Sequence, residues 1–327
     1  MKEDPLSKKT KRRLSLPVAI ITYVVSAAVV VGLVVGNVVI NQYSSLISVF
    51  FGQATQKVVS ADGAEADYFT SDFASEDERS AYVEDVATRI AREGITLLEN
   101  NGALPLADDA KVSVFGQDFV DPVYGGGGAG SIDTSVATDL QTGFADAGLD
   151  VNPTLTEFYT DGAGKDFRKT TPDVYGEGEF AVNEVPVAQY TDAVKASFAD
   201  YADAAIVVIG RSGGESSDLA HEENAEGVTY LELTKDERDT IALANENFET
   251  VVVLLNTQNP VELGFLEEDE IDAALWVGAF GQTGAIAIGE VLTGVVNPSG
   301  ALVNTYAYDS LSAPSIENLG DYTITNS

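Results

Sequence analysis

The order of apolar and polar residues divides the chain into an unbroken apolar segment and a longer alternating region. No charged residue occurs between Leu14 and Gln56, and positions 17–40 are almost wholly apolar. This length matches the roughly 20 residues that a helix needs to cross the hydrocarbon core of a bilayer. We therefore predict a single transmembrane helix at 16–40, with the lipid bilayer as its partner.

Basic residues immediately before this segment predict its orientation: Lys2, Lys8, Lys9, Lys11, Arg12 and Arg13. Positive charge stays on the cytoplasmic side. Residues 1–15 are therefore predicted to form a cytoplasmic tail, and the main domain is predicted to lie outside the cell membrane. A cleaved signal peptide is the alternative, although its apolar core would span only about 7–15 residues. Gly32 and Gly36 suit a helix dimer, but a GxxxG pair also arises by chance in such a segment.

A helix is predicted to follow a polar stalk, so that residues 41–85 form the stalk and lead-in. Ser75 and Glu78 have the spacing of a capping box, and apolar residues recur at helical spacing as far as about Asn100. The positions predicted to be buried are Tyr82, Val86, Ile90, Ile95 and Leu98.

Short apolar runs then alternate with helical patterns through the predicted domain, 86–308. Strands are predicted at 112–115, near Val151, and at 204–209, 251–255, 273–277 and 301–308; helices are predicted at 133–147, 186–200, 234–247 and 281–292, with a loop at 156–186. This order predicts an α/β fold, a three-layer αβα sandwich with a mainly parallel sheet. Residues 309–327 are predicted to be a tail or linker.

Composition removes several classes of function. The 327 residues carry a formal charge of −34, which would repel nucleic acid, so no nucleic-acid partner is predicted. Cysteine is absent, which excludes disulfides, thiolate zinc sites and cysteine nucleophiles. The one histidine, His221, lies in a polar acidic stretch typical of a solvated loop. Neither a metal site nor a cofactor is predicted.

Two loops at predicted strand ends are candidate sites, because ligands collect at the carboxyl ends of parallel strands. The first runs from Tyr124 to Ser131, where Gly126 and Gly128 permit a close backbone approach. A nucleotide site is a weak alternative there, since nine residues separate the glycines from the strand and no GK[ST] follows.

The second loop, 211–219, follows the apolar strand 204–209 and contains Glu215. A glycosidase needs one carboxyl group to protonate the departing oxygen and a second to attack or to activate water. The position of Glu215 suits the first role. The alternative is an ordinary solvated carboxylate, since the chain has 52 acidic residues.

Four stretches resemble the α/β sandwich domain of the family 3 glycoside hydrolases, the β-glucosidase group. They are 91–106 (AREGITLLENNGALPL), 111–116 with the glycine loop to Ser131, 209–218 (IGRSGGESSD), and 281–287 together with the NPSG turn at 297–300. The 209–218 stretch is similar to that family's GRxSGEGxD loop, although Ser216 stands where the family usually has glycine.

The resemblance implies a retaining, exo-acting glycosidase whose substrate is an oligosaccharide or other glycoside. It implies that Glu215 is the general acid/base, that Asp218 is an acceptor within the turn, and that Arg211 is an ion-pair partner inside the loop. The family's nucleophile comes from a barrel domain, and no stretch of this chain is predicted to supply it. The order resembles that of relatives whose sandwich domain comes first. We therefore expect a barrel that was lost from this chain or that lies on another chain. A non-catalytic module that binds glycans or a partner is the alternative.

Overall fold

The computed structural model describes residues 15–51, 71–172, 178–215, 219, 223–268 and 270–312. Contacts divide the chain into two units, Met1–Asp72 and Phe73–Ser327, which are described separately. Asp218, His221 and the tail beyond 312 lie outside the described residues.

The first unit contains two helices, α1 (Leu16–Gln42) and α2 (Ser44–Phe50). Proline at the first turn of α1 suits a helix start, because its missing N–H would have no partner there. None of the residues of α1 is buried, and within the described ranges it is the one helix long and apolar enough to cross a membrane. The length and composition of α1 suit a membrane span and equally a signal sequence.

A six-stranded mixed sheet is the centre of the second unit. Its strands are β1 (Thr96–Asn100), β2 (Lys111–Phe115), β3 (Asp150–Val151), β4 (Ala204–Arg211), β5 (Val251–Thr257) and β6 (Ala273–Trp276). The spatial order is β1-β6-β5-β4-β2-β3, with β1 antiparallel to β6 and all other pairs parallel. The carboxyl ends of β2, β4 and β5 therefore meet at one edge, as the sequence predicted.

Helices cover both faces of this sheet. They are α3 (Glu76–Gly94), α4 (Leu140–Asp146), α5 (Pro153–Thr160), α6 (Asp192–Ser197), α7 (Lys235–Asn247), α8 (Phe265–Glu268) and α9 (Gly284–Leu292). Alternate residues of β4 enter two separate apolar cores: Ile206 and Val208 pack with α4 and α9, whereas Val207 and Ile209 pack with α5, α6 and α7. Burial on both faces explains the continuous apolar run of this strand.

The end of α3 corrects the sequence prediction. The helix stops at Gly94 rather than near Asn100, and Ile95 turns the chain into β1, which pairs with β6. Ile95 is buried and Leu98 is half-buried, but Tyr82 and Ile90 are 54% and 67% exposed. The face of α3 that packs on α9 includes instead the buried Thr88.

The predicted strand at 301–308 is also wrong. This segment is irregular, and Val303 and Tyr308 are largely exposed. Its alternation of apolar and polar residues is typical of a strand. However, β6 already pairs with β5 on one side and with β1 on the other, so it has no edge left for another strand.

Two helical predictions had the wrong bounds, and one helix was missed, because side-chain caps were overlooked. Asp139 caps α4, so the helix begins at Leu140 rather than at 133. Thr191 caps α6, which is shorter than the predicted helix at 186–200. Asn152 caps α5, which extends into the predicted loop at 156–186. A capping side chain accepts a hydrogen bond from the first helical turn and thereby fixes the start of a helix.

Candidate functional site

The two candidate loops come together at the carboxyl ends of β2 and β4. The amide of Gly127 donates a hydrogen bond to the carbonyl oxygen of Gly213 over 3.1 Å. Gly127 and Gly214 also pair as a short parallel bridge, which extends the β2–β4 pairing beyond the sheet. The glycine loop and the Glu215 loop are therefore one structural feature rather than two.

A cavity of about 500 Å³ opens beside this junction. Residues from both loops and from the 161–186 segment line it, among them Tyr124, Gly126, Gly128, Lys169, Phe180 and Glu215. Glu215 is exposed, and it is the one carboxylate among the described residues that line the cavity. Among the described residues, the arrangement thus presents a single carboxylate to the cavity.

The glycine loop holds the carboxylate of Glu215 directly. Its Oε2 accepts a hydrogen bond from the amide of Ala129 over 3.1 Å. Gly128 adopts a φ of +63°, and a Cβ at this position would lie 2.8 Å from the Cβ of Glu215. Glycine is therefore required at 128 both for the backbone conformation and for the close approach.

Arg211 lies beneath the Glu215 loop, fully buried, and each of its five N–H donors has an acceptor. The acceptors are the carbonyl oxygens of Gly210, Tyr230 and Glu232 and both carboxylate oxygens of Glu237, at 2.7–2.9 Å. The predicted ion pair is present, but its partner is on α7 and not inside the loop. With no donor left, Arg211 supports the loop without facing the cavity.

The residues that follow β5 anchor the same loop and were not identified from the sequence. Gln258 accepts the amide of Gly213 through Oε1 over 2.9 Å, and Asn259 donates from Nδ2 to the carbonyl oxygen of Ser212 over 2.9 Å. The run of amide side chains after an apolar strand was the available signal.

Comparison with known proteins identifies this domain. The family model for the glycosyl hydrolase family 3 C-terminal domain matches residues 95–324. The chain belongs to this family. A β-glucosidase of Ruminococcus albus is 34% identical over 237 residues, which cover 71% of this chain and 24% of that protein. β-Glucosidase A of Butyrivibrio fibrisolvens is 28% identical over 252 residues, covering 71% of this chain and 30% of that protein.

Solved structures agree with this assignment. β-Glucosidase 3B of Thermotoga neapolitana in complex with glucose has a TM-score of 0.63 and 29% identity, covering 75% of this chain and 34% of that chain. The chain therefore spans about a quarter to a third of the length of these relatives. The resemblance to family 3 noted in the sequence is confirmed.

Gly126 and Asp218 are the remaining residues predicted for the site. Gly126 lines the cavity, and a Cβ there would lie 3.0 Å from Nε2 of Gln258. Asp218 lies outside the described residues, so its predicted role within the turn stays a prediction. Among the residues that the structure describes, no group of three or more histidine or acidic side chains is placed to hold a metal ion.

A cluster of buried ionisable side chains lies beside the end of β4. Asp118 accepts the amide of Gly210 over 3.0 Å, and Lys169 lies 3.2 Å from its other carboxylate oxygen. Burial raises the pKa of Asp118, although Lys169 opposes the shift. Burial also raises the pKa of Glu184 to about 8, against hydrogen bonds from the amides of Gln117 and Val185.

Glu184 predicts a pH-dependent stability. The unfolded chain loses this proton near the usual pKa of 4.5, whereas the folded protein keeps it until about 8. The folded state therefore binds more protons in this window, and its stability should fall with rising pH by up to about 1.4 kcal/mol per pH unit. Urea unfolding of the full chain between pH 4.5 and 9 measures this slope. The slope should flatten in Glu184→Gln; an unchanged slope would assign it to other groups.

Gly128 provides a direct test of the contact between the loops. Gly128→Ala should displace Glu215, because the new methyl group would contact its side chain and the φ of +63° is unfavourable for alanine. We expect the amide of Ala129 to exchange with solvent about tenfold faster, the factor that a hydrogen bond to a charged group supplies. Gly130→Ala is the control, since a Cβ at 130 meets nothing within 4 Å. Equal exchange rates in the two variants would contradict the contact.

Proposed function

We propose that this domain supplies the general acid/base, Glu215, of a membrane-anchored β-glucosidase-like glycoside hydrolase. The observation that carries the proposal is the exposed carboxylate of Glu215 in the cavity between the two glycine-containing loops. Membership of family 3 supports the reaction class. The apolar helix α1 supports attachment to the cell membrane. The basic residues before it support placing the domain outside the cell.

In the proposed reaction, Glu215 donates a proton to the oxygen of the scissile glycosidic bond as a second carboxylate attacks the anomeric carbon. The leaving group departs as a neutral alcohol. Glu215 then removes a proton from water, which hydrolyses the covalent intermediate and restores both carboxyl groups. Retention of configuration requires the two carboxyl groups to be about 5–5.5 Å apart.

The second carboxylate would come from a barrel domain, on another chain or on a further segment of the same protein. The cavity supports this division of labour, because Glu215 is the one carboxylate among the described residues that line it. The barrel surface would lie against the open side of the cavity and exclude water from the reacting atoms. Most sugar contacts would then belong to the barrel.

Complementation tests the proposal. The full chain, in detergent micelles, is mixed with the part of the Ruminococcus albus β-glucosidase that lies outside the matched segment. We expect the pair, called here the reconstituted enzyme, to cleave an aryl β-glucoside with retention of configuration, and neither component to do so alone. Cleavage by the Ruminococcus albus part alone at the rate of the mixture would contradict the assignment.

The single carboxylate among the described residues of the cavity also favours a second candidate, a non-catalytic module that binds glycans or a partner protein. This function predicts that the full chain binds gluco- or xylo-oligosaccharides without turnover. Isothermal titration calorimetry measures the binding. The absence of heat with both sugar series would remove glycan binding as the role of the cavity.

A further inference from the structure

We propose that Glu237 is a positioning residue, which holds the Glu215 loop in place through Arg211. The inference depends on the proposed function, because the position of Glu215 matters for catalysis only if that carboxyl group transfers the proton. Glu237 contacts neither the cavity nor Glu215, and its side chain is 3% exposed.

Arg211 closes the base of the loop. Its guanidinium donates a hydrogen bond to the carbonyl oxygen of Gly210, just before the segment 212–229. It also donates to the carbonyl oxygens of Tyr230 and Glu232, just after that segment. One buried cation thus joins the two ends of the segment 212–229, which contains Glu215. Joining the two ends of a chain segment reduces the number of conformations open to the residues between them.

Glu237 fixes that cation to the rest of the domain. Its two carboxylate oxygens form a bidentate pair with Arg211, at 2.7 and 2.9 Å. Oε2 also accepts hydrogen bonds from the amide and the hydroxyl of Thr234, at 2.8 and 3.0 Å, as the capping box of α7. One carboxylate therefore connects the start of a core helix to the base of the loop.

A continuous series of contacts leads from Arg211 to Glu215. The ring of Tyr230 lies 5.5 Å from the guanidinium, and its hydroxyl accepts the amide of Ser212 over 2.9 Å. Burial raises the pKa of Tyr230 to about 12, so the phenol stays neutral at physiological pH. Ser212 precedes Gly213, whose carbonyl oxygen accepts the amide of Gly127, next to the Ala129–Glu215 contact.

The test uses the full chain, labelled with ¹⁵N-alanine, and follows the amide of Ala129, which reports the position of Glu215. Glu237→Gln should accelerate its hydrogen exchange about tenfold, the effect expected from Glu215→Ala as reference. Because an unpaired buried arginine threatens folding, the decisive variant is Arg211→Met with Glu237→Leu, which removes both charges together. Glu290→Gln is the matched control, since Glu290 makes a similar bidentate pair with Arg92 between α9 and α3.

Rapid exchange in the folded double variant, together with wild-type exchange in Glu290→Gln, supports positioning by Glu237. Wild-type exchange in the folded double variant overturns it, and would assign the anchoring to Gln258 and Asn259. A double variant that does not fold also overturns it, because the pair would then serve the whole domain. The proposed function fails separately, if Glu215→Gln leaves cleavage by the reconstituted enzyme unchanged.

Discussion

Glu215→Gln is expected to lower kcat of the reconstituted enzyme for alkyl β-glucosides by about 10²–10⁴-fold, the usual contribution of a positioned acid or base. Glutamine keeps the size of the side chain and an acceptor for the amide of Ala129, but it has no transferable proton. The departing oxygen would then leave as an alkoxide, which raises the barrier of the first step. Steady-state rates with methyl and aryl β-glucosides measure the effect.

The choice of leaving group separates a lost proton donor from a disturbed loop. A dinitrophenyl glucoside leaves as a stable anion and needs little protonation, so the first step should slow far less with this substrate. A displaced loop would instead slow all substrates alike. Glu179→Gln serves as the control, because Glu179 is also exposed but does not line the cavity. Equal losses of kcat/KM, which reports the first step, for every leaving group would remove Glu215 from the proton transfer to the departing oxygen.

The central strands could be predicted from the sequence because burial on both faces requires continuous apolar runs. Ala204–Ile209 and Val251–Leu255 are such runs, and both lie in the middle of the sheet. β1 could not be predicted in this way. Its residues continue the apolar spacing of α3, and only pairing with β6, far away in the chain, determines that they form a strand.

The two loops of the site could be predicted from the sequence, whereas the contact between them could not. Glycines after β2 and a carboxylate after β4 identify two loops, and a parallel sheet places both at one edge. Their contact through Gly127 and Gly213 requires β2 to lie directly beside β4, which the residues do not specify. The partner of Arg211 was missed for a similar reason, since Glu237 appeared only as part of a helix cap.

Gly116→Ala is expected to have the largest effect on folding. Gly116 ends β2 with a φ of +99°, and a Cβ there would lie 2.2 Å from the carbonyl oxygen of Val208 on β4. Backbone strain and overpacking each cost roughly 1–3 kcal/mol, so the free energy of unfolding should fall by about 3 kcal/mol or more. Relief of the clash would require β2 and β4 to separate where both site loops leave the sheet. Urea unfolding of the full chain measures the loss.

Gly148→Ala isolates the steric part of that effect. Gly148 follows α4 with a φ of +96°, nearly the same as at Gly116, but a Cβ there meets nothing within 4 Å. Its substitution should cost only the backbone strain, about 1 kcal/mol. Equal losses in the free energy of unfolding would mean that the backbone at Val208 moves away from the new methyl group at little cost. A larger loss at Gly116 would show that the close approach of β2 and β4 maintains the edge from which both the glycine loop and the Glu215 loop extend.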